Sequence, residues 1–121
     1  MTKLVASLAL ALSAAFGLTA CAPAEPTVTV SASDMIIDVR TPEEFASGHL
    51  DGAVNIDIEG AAFADLIGQL PTDGTYYIYC RSGNSSAKAI DFMEKAGFTN
   101  LTNLGAVGDA STATGIAIVT E

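Results

Sequence analysis

Apolar residues fall along the chain in short runs separated by turn-forming and helix-capping residues. Residues 35–39 (MIIDV) and 75–79 (TYYIY) are β-rich runs of strand length, the pattern of strands covered on both faces of a parallel sheet. Further β-prone runs at 28–30, 53–56, 98–104 and 116–119 add four candidate strands. Helical spacing appears between them. Thr41, Pro42, Glu43 and Glu44 read as N-cap, N1 and an acidic first turn, with Gly48 as a stop. Residues 61–67 form a second helix that places Ala62, Leu66, Phe63 and Ile67 inward. Residues 87–96 form a third with Ala89, Ile90, Met93 and Gly97 on one face and Lys88, Asp91 and Lys95 on the other. Gly- and Ala-rich sequence before residue 116 has room for one more short helix. Strands alternating with helices predict an α/β fold with a small, mostly parallel sheet flanked by helices.

The first twenty residues stand outside that pattern. Lys3 is a basic start, residues 4–18 are an apolar Leu-, Ala- and Val-rich run, and Leu18-Thr19-Ala20-Cys21 is a small-residue cleavage site. This segment is short for a transmembrane span. Leu-Thr-Ala-Cys also resembles the lipobox of bacterial lipoproteins, which implies a signal peptide over 1–20, a lipidated Cys21 and export to the cell envelope. Alternatives are a simple secretory signal that leaves Cys21 free, an uncleaved anchor, or a disulfide between Cys21 and Cys80. The Pro- and Ala-rich stretch that completes 21–27 suits a short tether, and leaves 28–121 as one domain.

Charge narrows the partners. With 14 acidic residues against 5 basic and a net charge of -9, the chain lacks the clustered positive charge that nucleic acid requires. One His and two well-separated Cys do not make a zinc or iron site, so neither metal nor cofactor is expected. His49 reads as a structural histidine. The few basic residues then become informative, and one of them, Arg81, adjoins Cys80.

Cys80-Arg81-Ser82-Gly83-Asn84-Ser85-Ser86 follows the strand at 75–79 and precedes the helix at 87–96. A thiol placed there faces unpaired backbone N–H groups and the positive end of a helix dipole, which favour the thiolate. Gly83 and Asn84 tolerate positive φ and suit an anion-binding nest. Arg81 adds fixed positive charge, to which Lys88 can contribute, and Ser82, Ser85 and Ser86 offer hydroxyl donors. Asp38 and Arg40 end the 35–39 strand, so they face the same carboxyl edge of a parallel sheet as Cys80. They read as a pair that braces loops rather than as reacting groups.

These residues carry a resemblance. Asp38-Val39-Arg40-Thr41-Pro42-Glu43-Glu44-Phe45, Gly48-His49-Leu50 and Gly52-Ala53-Val54-Asn55-Ile56 resemble the N-terminal signature of the rhodanese family of sulfurtransferases. The segment from Cys80 to Ser86 is similar to its active-site loop, and Ala96-Gly97-Phe98 and Asn103-Leu104-Gly105 to later landmarks. The resemblance implies a rhodanese-like domain in which Cys80 takes a sulfane sulfur from a donor such as thiosulfate and passes it to cyanide or a thiol. Ser85 stands where the family often carries Arg, Ser111 where a Trp is common, and the segment before Met35 is abbreviated. A cysteine-based phosphatase or arsenate reductase needs Arg six residues after its Cys, and here that position is Ser86. A non-catalytic binding module of the same fold would have no need of a free thiol.

Overall fold

The computed structural model describes residues 25–121; residues 1–20, Cys21 and the first half of the tether lie outside them. The elements run β1 (Met35–Asp38), α1 (Pro42–Ser47), β2 (His49–Leu50), β3 (Val54–Asn55), α2 (Phe63–Gly68), β4 (Thr75–Cys80), α3 (Asn84–Lys95), β5 (Asn100–Ala106), α4 (Val107–Thr114) and β6 (Ile118–Val119). Four strands form an all-parallel sheet in the order β3-β1-β4-β5. This is the expected α/β architecture.

Alternation along β1 and β4 divides the core between the two faces of the sheet, because successive side chains point to opposite sides. Ile37, Val39, Tyr76, Ile78 and Cys80 pack with Phe63 and Ile67 of α2 and with Ala89 and Met93 of α3. Ile36 and Tyr79 pack instead with Leu50, Leu104 and Ala110. The strands are buried on both sides, which explains their nearly continuous apolar sequence.

Three expectations change. Residues 28–30 are not a strand; Val28 and Val30 instead pack as half-buried side chains on the second core cluster. In α2 only Phe63 and Ile67 are buried, one turn apart, while Leu66 is 41% exposed and Ala62 is the N-cap. The six-residue helix has one narrow buried stripe, and Leu66 lies about 100° around the axis from Ile67. Finally, residues 116–119 do not extend the parallel sheet. Ile118 and Val119 pair antiparallel with Leu50 and His49 in a separate two-stranded ribbon.

Candidate active site

Two neighbouring parallel strands deliver the site. β1 and β4 pair from Met35↔Tyr76 to Asp38↔Tyr79, so the residues after them emerge side by side at the carboxyl edge of the sheet. Asp38 and Arg40 emerge from one strand, Cys80 and its loop from the other.

Asp38 is fully buried and Arg40 nearly so. The Arg40 Nη2 donates to Asp38 Oδ2 at 2.7 Å, its Nε lies 3.0 Å from both carboxylate oxygens, and Nη2 also donates to the Gly48 carbonyl. Burial alone would lower the Arg40 pKa, but the Asp38 hydrogen bonds and charge outweigh it and raise the value. Arg40 therefore keeps its charge, and its guanidinium ties the end of β1 to the end of α1. Asn55 Nδ2 adds a clamp from β3, donating to the Asp38 and Arg40 carbonyls at 3.1 and 2.9 Å. The guanidinium also lies 5.8 Å from the centre of the Tyr79 ring, whose hydroxyl accepts from the Leu50 N–H at 3.0 Å. Burial pushes the Tyr79 phenol far above its ordinary range, so it stays neutral.

Thr41 caps α1 reciprocally. Its Oγ1 accepts from the Glu44 N–H at 3.3 Å, while Glu44 Oε1 accepts from the Thr41 hydroxyl at 3.1 Å and N–H at 3.4 Å, the capping-box arrangement. His49 is buried, stacked on Phe45 with ring centres 3.7 Å apart, and its Nδ1 donates to the Phe45 carbonyl at 2.8 Å. That histidine is held on both its face and its edge.

Cys80 ends β4 and carries a free thiol that is almost completely buried. Its Sγ accepts from the Gly83 N–H at 2.8 Å and lies 3.4 Å from Ser86 Oγ. Burial pushes the thiol pKa up, yet the Ser86 hydroxyl and the N–H groups of Ser86, Ser82 and Gly83 together outweigh it, and the pKa falls below the ordinary thiol value. Hydrogen bonds to the charged form thus overcome desolvation.

The loop is shorter than its composition suggests. Helix α3 begins at Asn84, so Asn84, Ser85 and Ser86 are its first turn, and only Gly83 takes positive φ, at 92°. A Cβ there would sit 3.6 Å from Gly105 Cα, so the loop rests against the bulge of β5. That bulge arises where Ile78 pairs with Asn103 but Tyr79 pairs with Gly105.

Arg81, Ser82 and Ser85 line an open cavity of about 180 Å³ together with Cys80, Val39, Arg40, Thr41, Glu44, Asp57, Ile58 and Glu59. Ser86 does not line it. Fully buried, it instead donates toward Asn103 Oδ1 at 2.7 Å or the Gly83 carbonyl at 2.9 Å, which corrects its expected role as a contact for donor oxygens. Asn84 is exposed at the start of the helix, and Lys88 is exposed outside the cavity lining. Sequence reasoning assigned no site role to Asn103, which is orientated by the Gly105 N–H donating to its Oδ1 at 2.9 Å, nor to Asp57 and Glu59. Among the described residues no cluster of metal-ligating side chains occurs.

The rhodanese-like domain model matches residues 26–106, most of the described chain. The chain belongs to the rhodanese-like family. A thiosulfate sulfurtransferase, PspE of Escherichia coli, is 30% identical over 80 residues, which cover 66% of this chain and 77% of PspE. Another, GlpE of Pseudomonas entomophila, is 33% identical over 67 residues, or 55% of this chain and 60% of GlpE. Solved structures agree. A rhodanese from Escherichia coli with anions superposes with a TM-score of 0.60 at 27% identity, covering 73% of this chain and 99% of that one. A rhodanese-related protein from Thermoplasma volcanium gives 0.61 at 27% identity, covering 74% and 86%.

Proposed function

We propose that this rhodanese-like domain is a sulfurtransferase that moves a sulfane sulfur through a Cys80 persulfide. The observation that carries the reading is the thiol at the cavity wall, 2.8 Å from the Gly83 N–H and with its pKa lowered by the surrounding donors. Relatives named thiosulfate sulfurtransferase support the same chemistry.

In the first half-reaction the Cys80 thiolate attacks the outer sulfur of thiosulfate. The sulfur–sulfur bond breaks and sulfite leaves with its electron pair. The resulting persulfide anion stays beside the donors that hold the thiolate, so negative charge is stabilised before and after transfer. In the second, cyanide attacks the outer sulfur, thiocyanate departs and the Cys80 thiolate returns; a thiol acceptor would leave as its persulfide. Arg81, Ser82 and Ser85 line the cavity with Cys80, which supports them as the groups that meet donor oxygens. The protein should form thiocyanate from thiosulfate and cyanide, and Cys80→Ser should abolish it. Thiocyanate formation by the Ser variant would remove Cys80 from the mechanism.

We further propose that the domain is exported and held at the bacterial envelope by lipid on Cys21, which follows from Leu18 to Cys21. Dual acyl chains give stable attachment where one does not. The full chain should partition with membranes in a bacterial host and Cys21→Ser should accumulate as unprocessed precursor. Efficient release of soluble protein with unmodified Cys21 would contradict the assignment.

A further inference from the structure

The cavity beside Cys80 has an acidic wall that the sulfur-transfer chemistry does not use. Glu44 comes from the first turn of α1, and Asp57 and Glu59 from the turn after β3. Two of the three carboxylates are held in place: Glu44 Oε1 accepts from the Thr41 hydroxyl at 3.1 Å, and Asp57 Oδ1 accepts from the Glu59 N–H at 2.9 Å, while the Glu59 side chain is exposed. Two cations share the lining, but Arg40 is already matched by the buried Asp38. Arg81 remains as the lining cation without an ion-pair partner among the described residues. Carboxylates therefore dominate the field that a reactant crosses on its way to Cys80.

We propose that this wall selects, among sulfur acceptors, thiols that carry an ammonium group, and disfavours those that carry a carboxylate. The inference rests on the sulfurtransferase reading and adds its acceptor class. An acceptor thiolate and the Cys80 persulfide are both anionic, so their approach through an acidic cavity is opposed by charge. An ammonium a few bonds from the attacking sulfur offsets that repulsion, and Glu44, Asp57 and Glu59 line the same cavity as Cys80. The thiolate attacks the outer sulfur of the persulfide, the sulfur–sulfur bond breaks, and the Cys80 thiolate leaves with its electron pair. The product is the aminothiol persulfide, and no other reactant is required. At separations of several ångströms in near-aqueous surroundings, one unit of charge changes such an encounter about threefold.

The test uses the full chain and thiols that differ in charge. Cys80 is loaded from thiosulfate, excess donor is removed, and persulfide loss is followed by mass spectrometry with cysteamine, 2-mercaptoethanol or 3-mercaptopropionate. Each rate is divided by that thiol's rate with a small disulfide, which removes intrinsic nucleophilicity. The expected order is cysteamine, then 2-mercaptoethanol, then 3-mercaptopropionate, about threefold apart at low salt, and converging as salt screens the wall. Asp57→Asn with Glu59→Gln should flatten the order. Equal normalised rates, a reversed order, or an order unchanged in that variant would overturn the proposal. A parallel series needs no persulfide: cystamine, bis(2-hydroxyethyl) disulfide and 3,3′-dithiodipropionate react with the Cys80 thiolate directly and, with each rate divided by that disulfide's rate with a small neutral thiol to remove leaving-group effects, should rank the same way by charge. If thiosulfate fails to load Cys80, the sulfurtransferase reading fails, while this second ranking still decides whether the wall selects by charge.

Discussion

Ser86 has one hydroxyl hydrogen and three acceptors around it: Asn103 Oδ1 at 2.7 Å, the Gly83 carbonyl at 2.9 Å and Cys80 Sγ at 3.4 Å. With Cys80 protonated, its S–H can donate to Ser86 Oγ while the serine donates onward. Once Cys80 ionises, the serine must turn its hydrogen to sulfur, and Asn103 or Gly83 gives it up. A hydrogen bond to a charged group contributes ~1.5–3 kcal/mol, although a thiolate of higher pKa is also intrinsically more nucleophilic. Ser86→Ala should therefore slow Cys80 persulfide formation about three- to tenfold at neutral pH. The sign follows from the depressed pKa of the thiol. The loading rate rises with pH as the thiolate forms, and losing a donor to that thiolate moves the rise to higher pH while sparing the alkaline plateau. An unshifted pH profile in a folded Ser86→Ala protein would mean that the hydroxyl does not hold the thiolate. Cys80 and Ser86 were visible in the sequence as parts of one loop. Their partner Asn103 was not, because it reaches them only through the pairing of β4 with β5 and the bulge that follows Ile78.

At the scale of elements, the site depends on the carboxyl ends of β1 and β4 staying in register, and the Asp38–Arg40 pair fixes one of them. Both side chains are almost fully withdrawn from water. Removing one partner from such a pair strands a buried charge, at a cost of ~3–5 kcal/mol, whereas replacing both by apolar residues can be nearly neutral. Asp38→Ala should thus lower the urea midpoint substantially, and Asp38→Leu combined with Arg40→Met should recover much of the loss. A single variant as stable as the parent would show that the pair does not brace these loops. The sequence made β1, β4, α1 and α3 legible because each has a long enough run or a definite cap. It did not reveal β2 or the two-residue ribbon it forms with β6, where periodicity has nothing to act on. In α2, Leu66 was misplaced because a six-residue apolar helix does not say which stripe faces the sheet.

For the whole molecule, a parallel sheet brings every loop of the site to one edge, and family membership agrees with what that edge contains. The chain's negative charge was legible from composition, but its placement was not, since Glu44, Asp57 and Glu59 meet only after β1 and β3 pair across the sheet. An acidic molecule that holds a reactive thiolate must stabilise the anion locally, and the donors around Cys80 supply that local field. The measurement that bears most directly on this account is the mass of the full chain after incubation with thiosulfate and removal of the excess. The account predicts that the mass of one sulfur atom is gained, located on the peptide containing Cys80, lost again on adding cyanide, and not acquired by Cys80→Ser. A Cys80 that gains no sulfur while the protein is folded and its thiol is free, or a sulfur that persists in cyanide, would contradict it.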